Sequence, residues 1–216
     1  MERETIMAWA QSKMKHTEDE PAGKGYRYYH GLRTAQIARL LATTIGLEVN
    51  EDVLFMGALL HDVGKANFNG PSHGPKGAEL IAEEISHLFS TGELDLVSAI
   101  VANHYMRPLS KHYLGKEKPH FSNEVLLVQD ADLLDHFGYN GIWLSHHWSS
   151  FLGRTPQSAI DYLLWDTEEL EWQQHAHQSL NFDLSRQEMG HRLERTASFV
   201  AMWQREERGE LTLLLP

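Results

Sequence analysis

One stretch of this chain is apolar on nearly every side of a helix, and this limits the fold more than any other feature. It runs from Glu51 to about Val63 and includes Val53, Leu54, Phe55, Met56, Ala58, Leu59 and Leu60. A helix that is apolar all round is buried among other elements instead of lying on the surface. The stretch stops at Gly64. The sequence therefore predicts a central helix that other elements surround.

Helical periodicity also dominates the rest of the chain, and we find no convincing strand-like alternation. The other predicted helices are Glu2 to about Glu18, His30–Ile45 closed by Gly46, Gly77 to about Phe89, Leu94–His104, Ser122–Phe137 with Ser122 as N-cap, and Ile142 to about Arg208 with interruptions near 153–156 and 181–184. Gly and Pro residues predict loops at 19–25 and 67–76, and Pro108 and Pro119 predict an irregular connection over 107–121. We expect an all-α fold.

Length and composition exclude several classes of protein. A chain of 216 residues is most simply one domain, spanning 1–216. The net charge of −11 disfavours a nucleic-acid partner, and no apolar run is long enough to cross a membrane. With no secretion signal recognised, we expect a cytoplasmic protein. Because there is no cysteine, any metal ion must be held by histidines and carboxylates.

Several polar residues fall where the helical pattern predicts burial. His30 shares a helix face with Thr34, Ile37 and Leu41, so it should point toward the core. His61 and Asp62 end the central helix, where loosening of the helix lets neighbouring side chains turn toward one point; inside a helix they diverge by about 100°. The pattern places an imidazole pair and a carboxylate in the interior.

Two more acids, Asp130 and Asp132, lie among the apolar residues of a predicted helix. A buried carboxylate is costly unless it is paired or bound to a metal. Histidine and carboxylate ligands suit Mn, Fe, Co, Ni or Zn, and carboxylates also accept Mg. Helical spacing alone leaves open which acid would be a ligand, because the two side chains point about 200° apart.

The order of these residues resembles the H…HD…D signature of the HD-domain superfamily of metal-dependent phosphohydrolases. LLHDVGK is close to that family's LLHDIGK, SHGPKGAEL resembles its H-x-x-x-G-x-E segment, and IVANHY resembles its I-x-x-x-H segment. QDADLLDHFGYNGI is similar to QDADRLDAIGAIGI of small stand-alone bacterial HD proteins. The resemblance covers a motif core of about 28–142, and it implies an HD-type helical bundle with extra C-terminal helices over about 142–210.

The resemblance also implies a site. One divalent metal ion would be held by His30, His61, Asp62 and one acid of the QDAD segment, with Asp132 preferred and Asp130 as the alternative. His73 and His104 match positions that hold a second metal or contact the substrate phosphate in relatives. Asp62 would orient the attacking water, and Lys65 and Arg33 would offset phosphate charge, although Arg33 also suits an ion-pair role.

The resulting hypothesis is a phosphohydrolase acting on a small phosphorylated molecule such as a nucleotide. An HD-type di-iron oxygenase would use two irons at the same kind of site. A catalytically degenerate HD protein would serve as a binding or signalling module. An HD-type nuclease would cleave single-stranded nucleic acid, which the acidic charge disfavours.

Overall fold

The computed structural model describes residues 1–15, 25–68, 70–107, 120–164 and 176–211, and within them it is helical with no strand. This confirms the all-α prediction. The helices are α1 (Arg3–Lys13), α2 (Tyr26–Ile45), α3 (Glu51–Leu60), α4 (His73–Ile85), α5 (Thr91–Asn103), α6 (Asn123–Asp135), α7 (Tyr139–Phe151), α8 (Pro156–Leu164) and α9 (Asp183–Glu207). Short 3₁₀ turns cover Val63–Ala66, Gly70–Ser72, Ser86–Leu88 and Ala176–Ser179.

Helix α3 is the central element that the sequence predicts. Every residue from Val53 to Leu60 is buried. The side chain of Asn50 caps the helix by accepting a hydrogen bond from the backbone N–H of Val53 at 3.2 Å. Helices α2, α5 and α6 pack around α3. The end of α3 therefore lies deep in the main core.

The structure moves several predicted boundaries, and three of these shifts lie near the polar residues singled out above. Helix α2 begins at Tyr26 rather than His30, after Gly25 in a left-handed conformation. Helix α4 begins at His73, inside the predicted loop 67–76, and its Pro75 is tolerated because the first helical turn needs no backbone donor there. The last predicted helix was expected to begin at Ile142, after the GYNGI segment, but α7 already begins at Tyr139 within that segment. Most of the predicted connection, 108–119, lies outside the described residues.

The C-terminal helices add a second, smaller apolar cluster. Ile142 of α7, Ile160 and Leu163 of α8, and Val200 of α9 form its buried part. Helix α9 also contacts α6, and its Arg192 donates to the backbone oxygen of Leu134 near the C-terminal end of α6 at 2.6 Å. In the ranges that the structure describes, no helix is both long enough and apolar enough to cross a membrane.

Helices α2 and α3 approach closely at Gly31. A Cβ atom on Gly31 would lie 2.4 Å from the backbone oxygen of Leu59, so any larger residue would push the two helices apart. Gly190 in α9 is the control position, because a Cβ atom there would have no other atom within 4 Å.

We expect Gly31→Ala to lower the free energy of unfolding by about 1–3 kcal/mol through overpacking. Gly190→Ala should leave it unchanged or raise it by up to about 1 kcal/mol, because alanine favours the helix. Urea denaturation followed by circular dichroism measures both. Equal stability of the two variants would contradict the close contact between α2 and α3.

Candidate metal centre

The polar residues that the sequence singles out meet where several helices end. His30 lies in the first turns of α2, His61 and Asp62 directly follow α3, and Asp132 lies in the last turn of α6. His73 begins α4 and His104 directly follows α5. All six side chains are buried. Five separate parts of the chain therefore bring imidazoles and carboxylates to one interior point.

Gly64 allows the His61–Asp62 pair to reach this point. A Cβ on Gly64 would lie 2.0 Å from the backbone oxygen of His73, so the turn after α3 can press against the start of α4 only with glycine here. The contact brings His73 to the same place as Asp62. Their closest polar atoms, His73 Nε2 and Asp62 Oδ1, are 3.3 Å apart.

Each imidazole has its Nδ1 engaged outside the cluster. Nδ1–H of His61 donates to the carbonyl of Ala58 at 2.7 Å, and Nδ1–H of His104 donates to the carbonyl of Val101 at 2.8 Å. The Nδ1 atom of His73 likewise bonds the carbonyl of Gly70, and Nδ1 of His30 bonds Asp135 Oδ2 at 2.7 Å. With Nδ1 as the donor, a neutral imidazole carries its lone pair on Nε2. All four Nε2 atoms face inward.

The inward atoms of His30, His61, Asp62 and Asp132 lie close together. His30, His61 and Asp62 form one group of side chains that could hold a metal ion, and Asp132 shares a second such group with His61 and His104. His30 Nε2 is 3.1 Å from both His61 Nε2 and Asp132 Oδ1. His61 Nε2 is 3.5 Å from Asp132 Oδ1 and 3.7 Å from Asp62 Oδ1. A metal about 2.1 Å from each ligand places neighbouring ligand atoms roughly 3.0–3.4 Å apart. These residues can therefore hold a divalent metal ion.

The environment of Asp62 Oδ1 gives the clearest indication that this cluster binds a cation. The atom is buried and forms no hydrogen bond with any described residue. It lies 3.3 Å from His73 Nε2 and 3.5 Å from His104 Nε2, while those two nitrogens are only 2.8 Å apart. Burial lowers the pKa of His104 to about 4, so this imidazole is neutral at neutral pH. Lone pairs and a carboxylate oxygen converging in this way suit a bound cation.

The same carboxylates use their other oxygen to bind cationic side chains. Asp62 Oδ2 accepts hydrogen bonds from Arg27 and Lys65, each at 2.8 Å. Burial by itself would raise the pKa of Asp62, but the positive charges of Lys65 and Arg27 hold it well below its usual value. Arg107 pairs with Asp132 Oδ2 and likewise holds the pKa of that buried carboxyl well below its usual value. Both acids therefore stay ionised.

An outer layer orients His30. Asp135 accepts from His30 Nδ1 and from Arg33, whose Nε and Nη2 atoms lie 2.9 and 2.8 Å from its oxygens. Asn140 of the GYNGI segment donates to Asp135 Oδ1 at 2.9 Å. Arg33 therefore forms the ion pair that the sequence offered as one of its two roles, and its role as a phosphate contact stays a prediction. Such carboxylate–histidine pairs fix the tautomer and orientation of a metal ligand.

The structure separates the two acids that the sequence could not distinguish. Asp130 lies on another face of α6, where its carboxylate accepts from the backbone N–H of Asn181 at 2.8 Å and of Phe182 at 3.1 Å. It belongs to none of the groups of side chains that could hold a metal among the described residues. In the described structure Asp130 thus lies apart from the cluster and anchors the start of α9, and Asp132 remains the predicted ligand.

Four residues of the site escaped the sequence interpretation. Asp135 and His136 follow Asp132 in the same segment, and Arg27 precedes His30 by three residues, so helical spacing could have indicated Arg27 and Asp135. Arg107 lies beyond the end of α5, and no periodic pattern marked it. His136 donates from Nδ1 to the carbonyl of Asp132 at 2.8 Å.

With this geometry established, the family follows from comparison with known proteins. The model of the family described as "HD domain" matches residues 27–136, half of the chain, and this span contains His30, the His61–Asp62 pair and Asp132. This chain belongs to the HD domain family. The predicted resemblance is confirmed.

Proteins of known structure share the fold at low sequence identity. An HD-superfamily hydrolase from Bacillus thuringiensis has a TM-score of 0.66 and 22% identity over 96% of this chain and 97% of its own. YpgQ of Bacillus subtilis, solved in complex with ADP, has a TM-score of 0.61 and 19% identity over 94% of this chain and 97% of its own.

Sequence relatives include the 3'-5' exoribonuclease YhaM of Listeria welshimeri and of Listeria innocua. Each is 28% identical over 134 residues, which is 56% of this chain and 41% of YhaM. The match thus spans less than half of those proteins.

The contrast between the two acids of α6 gives a direct test of the metal centre. We expect Asp132→Asn to lower the affinity for Mn²⁺ at least about tenfold, because an amide replaces an anionic ligand. Asp130→Asn should bind Mn²⁺ normally, although its weaker hold on α9 should reduce stability. Isothermal titration of each metal-free variant with Mn²⁺ measures the difference. Loss of binding in Asp130→Asn alone would reverse the assignment.

Proposed function

We propose that this HD protein is a metal-dependent phosphohydrolase acting on a small phosphorylated molecule such as a nucleotide. The observation that carries the proposal is the buried set of Nε2 and carboxylate oxygen atoms, which fits a divalent cation and is ringed by cationic side chains. His30, His61, Asp62 and Asp132 would hold the ion. When bound there, a divalent ion lowers the pKa of a coordinated water and polarises a phosphoryl oxygen.

The charge around the cluster favours an anionic substrate. Among the described side chains, three ionised carboxylates (Asp62, Asp132 and Asp135) are paired with four cations (Arg27, Arg33, Lys65 and Arg107). A divalent ion would add to this positive surplus, in a protein whose net charge is −11. The local reversal of charge would draw phosphate toward an otherwise acidic molecule.

Three of the cations can also reach the substrate directly. The side chains of Arg27, Lys65 and Arg107 are 15%, 23% and 18% exposed, so they border the buried acids on the solvent side. The Nε–H of Arg107 is buried and donates to no described residue, which leaves a donor beside Asp132 for a phosphate oxygen. Arg107 would therefore bind phosphate while it pairs with Asp132.

Proton transfer would fall to the residues around Asp62 Oδ1. This oxygen can accept a hydrogen bond from the attacking water and orient it. His104 is neutral at neutral pH, and its Nε2 can accept a proton from that water. His73 Nε2, 2.8 Å from His104 Nε2, could receive that proton from His104 and pass it to the leaving oxygen.

The relatives support a nucleotide-like substrate. YhaM is a 3'-5' exoribonuclease, and YpgQ was solved in complex with ADP, so each of these proteins is described with a phosphate-containing nucleotide compound. Because the match spans only 41% of YhaM, RNA cleavage does not carry over from it, and the acidic charge of this chain disfavours a nucleic-acid partner. Phosphate release from nucleoside mono- and triphosphates should therefore be compared with cleavage of a short single-stranded RNA, which serves as the control substrate.

A di-iron oxygenase is the second candidate function, because a second metal ion could bind. Asp62, His73 and His104 form a further group of side chains that could hold an ion, and this group shares Asp62 with the group His30, His61 and Asp62. A di-iron oxygenase would contain two irons per chain and consume oxygen. A phosphohydrolase would release phosphate with Mn²⁺, Co²⁺ or Mg²⁺ in the absence of oxygen. Metal analysis of the purified protein, followed by both assays, separates these functions, and a metal-bound protein inactive in both would be a binding module.

Asp62 tests the proposed chemistry most severely. We expect Asp62→Ala to abolish both metal binding and phosphate release, because it removes a ligand and the water-orienting oxygen together. The far-ultraviolet circular dichroism spectrum should keep its helical shape. Phosphate release at the wild-type rate by this variant would end the proposed mechanism.

Arg107 tests phosphate binding separately. We expect Arg107→Ala to raise KM for a hydrolysed nucleotide at least about tenfold, because a charge-assisted hydrogen bond is lost. Metal content, measured in parallel, shows whether Asp132 still binds its ion. Arg39→Ala is the control, since Arg39 pairs only with the surface acid Glu51 in the described structure and should leave KM unchanged. An unchanged KM in Arg107→Ala would remove Arg107 from the substrate site.

A further inference from the structure

His136, which directly follows α6, borders the metal centre and has no part in the roles assigned above. Its ring centre is 4.7 Å from that of His30, and its Nδ1 is 3.5 Å from Asp132 Oδ1. His30, Asp132 and His136 also form a group whose ligand atoms all lie within 4.8 Å of one another. His136 is therefore a further imidazole of the described cluster, and the H…HD…D signature does not include it.

One nitrogen of this imidazole is already engaged. The Nδ1–H group of His136 donates to the backbone carbonyl of Asp132, four residues earlier, at 2.8 Å. The ring also meets the ring of His30 edge to face, with 67° between the two planes. A neutral imidazole that donates from Nδ1 carries its lone pair on Nε2. The free nitrogen of His136 is therefore a hydrogen-bond acceptor held in a fixed place.

His136 is also much more exposed than the other imidazoles of the cluster. Its side chain is 31% exposed, whereas those of His30, His61, His73 and His104 are at most 9% exposed. Nε2 of His136 forms no hydrogen bond with any described residue, and it is not one of the unpartnered atoms that solvent cannot reach. A ligand can therefore meet Nε2 without breaking a hydrogen bond of the described structure.

This acceptor lies close to the atoms that would hold the metal ion. Both nitrogens belong to one five-membered ring, so Nε2 is at most one ring width farther from Asp132 Oδ1 than Nδ1, which is 3.5 Å away. A phosphate bound to the proposed ion would lie against Asp132. The atoms covalently next to that phosphate would then lie beside the ring of His136.

An acceptor at this place selects a hydrogen-bond donor on the substrate. The oxygens of an ionised phosphate accept hydrogen bonds, so they suit Arg27, Lys65 and Arg107 and not a neutral imidazole nitrogen. In phosphorylated sugars, including nucleotides, the atoms near the phosphate are carbons that carry hydroxyl groups, and the N–H groups of a base lie farther away. The donor that suits Nε2 is therefore a hydroxyl.

We propose that His136 Nε2 accepts a hydrogen bond from a sugar hydroxyl that lies beside the reacting phosphate of the substrate. The assignment rests on the proposed function, and it narrows the substrate to sugar phosphates and nucleotides with a hydroxyl near the phosphate. His136 is a specificity residue here, because it touches the organic part of the substrate and not the reacting phosphate.

The test compares two ligands that differ only in their hydroxyls. They are adenosine α,β-methylene diphosphate, whose P–C–P bridge resists hydrolysis, and its 2',3'-dideoxy analogue. Isothermal titration of the Mn²⁺-loaded full chain measures the affinity for each. His136→Ala removes the acceptor, and His136→Phe removes it while keeping a ring against His30.

His146→Ala is the matched control. His146 also donates from Nδ1 to a carbonyl four residues earlier, that of Ile142, at 2.8 Å. It stacks on Trp203 and belongs to none of the groups of described side chains that could hold a metal. This variant therefore loses the same kind of side chain away from the cluster.

We expect the wild type and His146→Ala to bind the ribose ligand about fivefold or more tightly than the dideoxy analogue. His136→Ala should bind the two ligands equally and should keep the wild-type affinity for Mn²⁺. If its circular dichroism spectrum shows that His136→Ala misfolds, His136→Phe decides.

Three results would overturn the proposal. The first is a wild type that binds the two ligands equally or binds neither. The second is a preference for the ribose ligand that survives in the folded His136 variant. The third is loss of Mn²⁺ binding in that variant, since His136 would then act through the metal ion.

Turnover separates this proposal from the proposed function. In a protein that hydrolyses adenosine triphosphate, His136→Ala should lower kcat/KM for it about fivefold or more and leave hydrolysis of inorganic tripolyphosphate, which has no hydroxyl-bearing sugar, unchanged. Equal kcat/KM of the wild type for adenosine triphosphate and its dideoxy analogue overturns the hydroxyl contact and leaves the phosphohydrolase intact. Binding that depends on His136 and the hydroxyls, without hydrolysis of any phosphorylated compound, supports the contact and ends the proposed function.

Discussion

The structure depends on one constraint: buried imidazoles whose Nδ1 atoms are engaged outward must turn their Nε2 lone pairs toward each other. His61 and His104 bond backbone carbonyls three residues earlier, and His30 bonds Asp135. These nitrogens converge with oxygens of Asp62 and Asp132, and Asp62 Oδ1 is left buried without a hydrogen bond in the described structure, which a bound cation would satisfy. The packing of α2, α3 and α6 holds these atoms in place, so the ligands are arranged before a cation binds.

The central helix explains why these side chains meet in the interior. Because α3 is buried along its length, its end delivers His61 and Asp62 to a point far from solvent. Gly31 and Gly64 permit the close approaches that complete the site, one against Leu59 and the other against the backbone of His73. The site is thus built from helix ends, where side chains and backbone groups have most freedom to converge.

Much of the fold and part of the site could be predicted from the sequence. The apolar run before His61 identified the central helix, and the helical face shared by His30 and Thr34 identified the inward direction of His30. Periodicity could not separate Asp130 from Asp132, because both lie among apolar neighbours; what separates them is the contact of Asp130 with Asn181, far along the chain. The sequence also provided no indication that Arg107 belongs to the site, because its position depends on the turn after α5 and not on a repeating pattern.

We propose that His30, His61, Asp62 and Asp132 bind one divalent ion through Nε2 and carboxylate oxygens. A crystal of the protein grown with Mn²⁺, with diffraction recorded near the manganese absorption edge, tests it most directly. We expect an anomalous peak within bonding distance of the Nε2 atoms of His30 and His61 and of both carboxylates. A well-ordered site without such a peak, or with manganese bound only elsewhere, would contradict it.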